Sequence, residues 1–500
     1  MSVPIKSIML IIAIIVAAVT AVTTTVGLIA APIVGVTLND SVSSITPTKL
    51  ANLLENGNIS DFNNERNQIK QQIVFESIDL SNKDLNGVDL QSLILLHSNL
   101  SDTNLQNSSL TDVRISGDLS NINLRNANLS NANLRDSDLD NATFANADLY
   151  NADLKDAYLG NADLTKADLG NATLTNTSLD NADLTNAYLD NADLTNAYLG
   201  NADLTNAYLG NADLTNASLY TADLTDAYLI DASLPNTDLG DAGLAKASLL
   251  RADLTSASLG GADLTDADLL HTDLTDAYLG NAVLTDADLT SSALINADLS
   301  EANLIDAYLT NANLTNAYLT NADLANARLI FVDLTDAYLG NAVLTNADLI
   351  FADLTNTSLS DADLTDADFR SSALINADLT GSTLTDADLS DADLTNASLD
   401  DAVLTNADLS SSILTDADLS SSILTDADLT NSSLTDAILF NADLTGADLR
   451  DSDLTNADLT LTRLNGSIFN CESLRTANLT GNTNQFHIVD SNNNEVSSCQ

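Results

Sequence analysis

Residues 181–210 read NADLTNAYLDNADLTNAYLGNADLTNAYLG. Leucine falls at every fifth position from Leu184 to Leu209, and an alanine stands two residues before each. Outward from this stretch the register runs unbroken from Leu119 to Leu479, with leucine replaced only by Phe144, Phe369 and Phe469. On the N-terminal side one residue is lost. Beyond the loss, Phe75, Leu80, Leu85, Leu90, Leu95, Leu100, Leu105, Leu110 and Ile115 keep the same beat.

A period of five is neither the 3.6 of a helix nor the 2 of a flat strand, and it excludes a heptad coiled coil. The chain must turn a corner every five residues, with the central leucine and the preceding small residue inside. Asp, Asn, Thr and Tyr then face outward, and four sides close a coil of about twenty residues. That longer period is also visible in the sequence: the phrase beginning at Leu274 returns at Leu334, and the one at Ser291 returns at Ser371. Coils stacked at ~4.8 Å would build a rod on the order of 100 Å long. Since no single coil can cover its own core, stability must be collective and the ends need caps.

This motif, Ala202-Asp203-Leu204-Thr205-Asn206 in one copy, resembles the pentapeptide-repeat family, whose signature is A(D/N)LXX. The resemblance implies an all-β solenoid, a right-handed, four-sided β-helix of about twenty coils. The lead-in through Asp61-Phe62-Asn63, Arg66 and Ile78-Asp79-Leu80 is similar to the helix that caps the first coil in many members. Two departures stand near that end: Lys83 at an inward-type position, and the residue lost between Ile115 and Leu119, which must tighten a corner.

Composition narrows the partners. The formal charge is −54, tryptophan is absent, and aromatic residues are 4% of the chain. Such a surface repels phosphate, which argues against direct binding of nucleic acid or anionic lipid and suits salt, cations or a basic partner.

The ends differ from the repeats. After Lys6 no charged residue appears until Asp40, and Ile8 to Val19 is densely aliphatic. Residues 1–39 therefore read as an apolar helix, either an anchor or a signal cleaved near Val19-Thr20-Ala21, with the body exported. Residues 40–72 read as a linker and capping helices, the first beginning at Thr46-Pro47 and ending at Gly57, the second beginning at Ser60-Asp61. Residues 73–480 form the β-helix and 481–500 a polar tail. Cys471 and Cys499 either bridge and tie that tail to the last coils, or stay as two thiols.

No reaction centre is evident. His97, His271 and His487 lie far apart, and no phosphate loop, HExxH, CxxC or nucleophile elbow is present. The expectation is a non-enzyme without a cofactor. Reading every twentieth residue, Asp348, Asp368, Asp388, Asp408, Asp428 and Asp448 form one acidic column, the weak candidate for Ca²⁺ or another cation. Tyr188, Tyr208 and Tyr228 share that column. On the same face lie Ile230, Leu250, Leu270, Ile330 and Ile350, with Phe331 and Phe351 at the adjoining corner. The opposite face instead carries Gly160, Gly200, Gly240, Gly260, Gly280 and Gly340. This asymmetry marks either an edge that docks a protein partner or a second rod, or scattered surface variation. Threonine columns at 165–225 and 385–455 either bind an ordered surface or satisfy the β surface.

The leading expectation is an exported or membrane-anchored rod that acts as a cell-surface structural or protein-interaction module. Sequons at Asn128, Asn313 and Asn478 fit that location. Family resemblance supplies an alternative: some members resemble B-form DNA in shape and charge and bind DNA gyrase in its place. A third class is a cation- or surface-binding acidic array.

Overall fold

Every five-residue beat becomes one side and one corner of a coil. The computed structural model describes residues 45–69, 71–471, 473, 477–481 and 486–489, so the apolar helix expected over residues 1–39, anchor or cleaved signal, lies outside the described residues. By contact the chain divides into Met1–Thr46 and Pro47–Gln500, and the solenoid is the second unit.

The pentad 202–206 shows why the motif has its composition. Ala202 and Leu204 are fully buried. Asp203 faces outward and bridges in parallel to Asp183 and Asp223, one coil to either side. All five backbone donors find acceptors. Ala202 N–H donates to Leu199 O (3.0 Å), Asp203 to Ala182 O (2.9 Å), Leu204 to Asp223 O (2.6 Å) and Asn206 to Thr225 O (3.0 Å). The fifth, Thr205 N–H, has no backbone acceptor and is taken by Asp203 Oδ1 at 2.9 Å. The acidic residue is thus a corner cap, the Asx turn that Asp and Asn make with the second amide beyond them. Asn206 sits at φ 56°. Left-handed backbone is costly for most L-residues and mildest for Asn and Asp, so those two fill this position coil after coil.

Four such columns of bridges run the length of the solenoid. They thicken to sheets at the ends. β1 (Val74–Glu76), β2 (Ile94–Asn99) and β3 (Arg114–Asp118) are parallel neighbours in that order, as are β4 (Asp448–Leu449), β5 (Ile468–Asn470) and β6 (His487–Val489). β6 continues its column past residue 480, so a strand stands where the sequence reading places only polar tail.

The core is a stack of leucines with Phe144, Phe369 and Phe469 fully buried among them. Hydroxyls that replace the inner alanine are satisfied locally. Thr177 Oγ1 donates to Leu154 O of the preceding coil (3.0 Å), and Ser412 Oγ donates to Leu409 O of the preceding pentad in the same coil (2.6 Å).

The N-terminal cap is built as expected, with one shifted boundary. Helix α1 spans Pro47–Glu55 and α2 spans Ile59–Arg66. Gly57, at φ 67°, ends the first. Asn58, and not Ser60, caps the second, its side chain accepting from Asp61 N–H. Phe62 of α2 is fully buried. Asn63 donates to Gly87 O at 2.9 Å and accepts from Asp89 N–H at 2.8 Å, while Arg66 reaches Ile69 O and Gln91 O. Lys83, at an inward-type position, is half-buried.

The lost residue is absorbed at Gly117. β2 and β3 shift register between Leu95 and Ser98, and Gly117 adopts φ 136°. A Cβ there would sit 2.1 Å from Ser98 O, so only glycine closes this corner.

Candidate interaction surface

Four outward faces follow from the columns, and they differ in chemistry. The two opposite faces carrying Asp193 and Asp203 are rich in Asp, most often followed two residues later by Thr, with Asp153 and Asp323 among the exceptions. There the threonine hydroxyl joins the corner cap: Thr165 Oγ1 donates to Asp163 Oδ1, Thr395 to Asp393 and Thr445 to Asp443, each at 2.6 Å. The threonine columns at 165–225 and 385–455 therefore spend donors on their own turns, in keeping with the β-surface reading. The electrostatics agree. Burial opposes ionisation of Asp193 and Asp443, but the hydroxyl and N–H of Thr195 and of Thr445 outweigh it and lower both pKa values. The Thr455 hydroxyl and N–H lower Asp453 likewise. Asp400 moves the other way, raised by burial and by the charges of Asp401 and Asp418.

The acidic column is built on the same caps. Asp388 Oδ1 accepts from Ser390 N–H (3.0 Å), Asp408 from Ser410 N–H (2.8 Å) and Asp428 from Thr430 N–H (2.9 Å). Arg370 pairs with Asp368 at 2.6 Å and lies 3.7 Å from Asp388, and Arg450 pairs with Asp448 at 2.5 Å. Among the described residues no three His, Cys, Asp or Glu side chains converge in a way that would hold a metal ion. The column from Asp348 to Asp448 is a row of separate turn caps. His97 and His271 are exposed corner residues at φ 51° and 58°, and His487 lies in β6.

The glycine column has a structural cause. Tyr158 and Tyr198 replace the capping Asp, and the cap comes instead from the preceding coil. Gly160 N–H donates to Asp140 Oδ1 (2.9 Å) and Gly200 N–H to Asp180 Oδ1 (3.1 Å). A Cβ on either glycine would lie 3.0 Å from that carboxylate oxygen. A Cβ at Gly260 would meet Tyr278 Cε1 at 2.5 Å, and one at Gly280 the Tyr278 hydroxyl at 2.5 Å. At these positions glycine makes room for a borrowed cap or a recumbent tyrosine, whereas at Gly340 a Cβ would meet nothing closer than 3.7 Å.

The apolar column resolves into two groups. Ile230, Leu250 and Leu270 are half-buried corner residues on three successive coils. Arg251 and His271 follow them at the outer corner, Arg251 holding Asp231 through two bonds of 2.6 Å. After Thr290 and Thr310 come Ile330 and Ile350, also half-buried. Beside them Phe331 and Phe351 are 54% and 52% exposed, their rings stacked with centroids 5.0 Å apart. Tyr188, Tyr208 and Tyr228 stack in the same way, at 5.0 and 4.9 Å.

The two phenylalanines differ from every tyrosine in one respect. They occupy the left-handed corner, at φ 56° and 59°. Among the described residues only one other apolar side chain does so, Leu461 at φ 63° and 52% exposed. For a bulky residue this backbone costs about 1–3 kcal/mol, and more than half of each ring stays in water.

Some surface features were not singled out from the sequence. Ile413, Ile423, Ile438 and Phe440 are exposed near the C-terminal end with Leu461, and Arg328 lies 4.9 Å from the Tyr308 ring centroid. The usable signal was any outward position not filled by Asp, Asn, Ser or Thr. Cys471 is disulfide-bonded. Cys499 lies outside the described residues. No helix of the described residues is long and apolar enough to cross a membrane.

Comparison with known proteins follows this geometry. The family model described as pentapeptide repeats matches in segments running from residue 74 to 481. Among solved structures, HetL, a pentapeptide repeat protein involved in heterocyst differentiation regulation from the cyanobacterium Nostoc sp. strain PCC 7120, is 34% identical; the match covers 45% of this chain and 89% of that one, with a TM-score of 0.22. Rfr23 from the cyanobacterium Cyanothece 51142 is 37% identical over 19% of this chain, with a TM-score of 0.16, and the match spans 59% of its length. Full-length QnrB1, a plasmid-mediated fluoroquinolone resistance protein, is 14% identical, with coverage of 54% and 93% and a TM-score of 0.17. No curated protein matches the chain.

Proposed function

The chain belongs to the pentapeptide-repeat family, and from that premise we propose that its rod is a non-catalytic protein-interaction module, displayed outside the cytoplasm by the apolar segment 1–39. One observation carries the interaction reading. Along the repeats, backbone donors and one oxygen of each capping carboxylate are spent on closing corners, as in the pentad 202–206, while Phe331 and Phe351 stand exposed at positions that serve no cap. A surface so regular offers selective binding through its departures from the repeat.

The net charge of −54 keeps a second reading in view, mimicry of DNA towards a DNA-binding protein such as gyrase. The caps supply a reason for the charge that needs no such target, since Asp is what the corner requires. Location separates the two. Intact cells treated with protease, followed by fractionation and N-terminal sequencing of the recovered chain, should show the solenoid accessible from outside. A body protected until lysis and recovered with the cytoplasm would overturn the display reading and favour the mimic.

A further inference from the structure

We propose that the corner formed by Ile330, Phe331, Ile350 and Phe351 is the docking point for a basic, amphipathic segment of a protein partner. The inference deepens the interaction-module reading and rests on it. Its physical basis is a backbone cost at exposed aromatic residues, offset within the fold only by the stacking of the two rings. Left-handed corners elsewhere take Asn, Asp or Ser with few exceptions. Here two successive coils place phenylalanine in that backbone, align the rings face to face at 5.0 Å and leave 54% and 52% of them exposed. Large aromatic side chains held rigid at a surface are the groups that dominate protein interfaces.

The surroundings choose the partner. Ile330 and Ile350 extend the apolar centre along the corner. On one flank stand Asp333 and Asp353; on the other Arg328 precedes Asp348 in the column, and Arg370, next after Ile350, is paired to Asp368. Asp333, Asp353 and Asp348 each use Oδ1 to hold a backbone N–H two residues on, of Thr335, Thr355 and Ile350 respectively, leaving Oδ2 for an incoming group. An apolar knob beside the Asp333 and Asp353 carboxylates fits a segment whose apolar stripe is edged by Lys or Arg. A second copy of the rod fits poorly, because each carries a net charge of −54 and like fields repel.

The test uses the purified full chain and two fluorescent probes: a short peptide of Lys and Leu patterned as an amphipathic helix, and an oligolysine of equal charge. The Lys/Leu peptide should bind more tightly than oligolysine, and binding should weaken as salt is raised. Phe331→Ser with Phe351→Ser should weaken the Lys/Leu peptide at least about tenfold while leaving oligolysine binding and the circular dichroism spectrum unchanged. Asp333→Asn with Asp353→Asn should weaken both probes. Tyr158→Ser, on the opposite face, should change neither. Equal binding of the Lys/Leu peptide by wild type and the phenylalanine variant would overturn the proposal. So would sedimentation showing that wild-type rods pair through this corner and that the substitutions abolish the pairing. A cytoplasmic result in the protease experiment would leave these affinities standing, so the two readings fail separately.

Discussion

Asp408 is the place to weigh repulsion against capping, because Arg370 and Arg450 sit against other members of its column. Its neighbours along the rod are Asp388 and Asp428. At the ~4.8 Å rise of parallel strands, each pair repels by about 0.9 kcal/mol in water, or about 1.8 kcal/mol for the two. Screening roughly halves this at physiological salt and leaves about a fifth at 1 M. Against it stands the 2.8 Å bond from Ser410 N–H to Oδ1, and loss of a comparable helix cap costs about 0.5–2 kcal/mol. Asp408→Asn removes the charge and keeps the acceptor, whereas Asp408→Ala removes both. In low salt the Asn variant should therefore be more stable than wild type and the Ala variant close to it. In 1 M NaCl the Asn variant should match wild type and the Ala variant should fall below it. Because a solenoid can open locally, the assay is hydrogen exchange by mass spectrometry on the peptide around Ser410, backed by thermal melts at both salts. An Asn variant that exchanges faster than wild type in low salt would refute the reasoning, since the charge itself would then be stabilising. An Ala variant equal to wild type in 1 M NaCl would refute the capping role.

Gly117→Ala should destabilise the first coils by about 3 kcal/mol or more, since its Cβ would lie 2.1 Å from Ser98 O at φ 136°. Gly87→Ala, at φ 75° with open space around the new Cβ, should cost only about 1 kcal/mol; equal losses on urea unfolding would refute the account of the shortened corner. Acid should destabilise the rod. Asp193, Asp443 and Asp453 are lowered from 3.8 by their threonine caps, so the unfolded chain binds more protons, and the stability they supply above that value drains away as pH falls through their folded pKa values. Asp400, raised from 3.8, works in the opposite sense over its own narrow window. Melting temperatures between pH 7 and pH 2 should fall below about pH 4, and Thr195→Val with Thr455→Val should flatten that fall; melts that rise on acidification would show that repulsion outweighs the caps.

The fold was open to reading because its cause is local and repeated. One leucine in five, with a small residue two before it, can be buried only if the chain turns after every side. The resumed register at Leu119 and the column membership of Asp348, Tyr188 and Phe331 follow from counting, while the capping helices follow from start and stop signals such as Thr46-Pro47 and Gly57 and from the family resemblance. Counting cannot supply orientation and partners. From the sequence the glycine column is one side of an asymmetry that marks either a docking edge or surface variation; in the structure Asp140 and Asp180 reach across a coil to cap Gly160 and Gly200. In the Asp348–Asp448 column, the cation candidate of the sequence, each of the six aspartates accepts from the amide two residues on.

The sequence by itself determined the period, the inner and outer positions, the four-sided coil and the residues that share a face. Only the tertiary structure decided what each outward group is already doing, because that depends on the amide or carboxylate one coil away. It separated Ile230, Leu250 and Leu270 from the Phe331–Phe351 pair and placed both rings in left-handed backbone with more than half of each exposed. A column position is an address that counting can assign, whereas strain, exposure and a satisfied hydrogen bond are properties of neighbours that meet only when the coils stack.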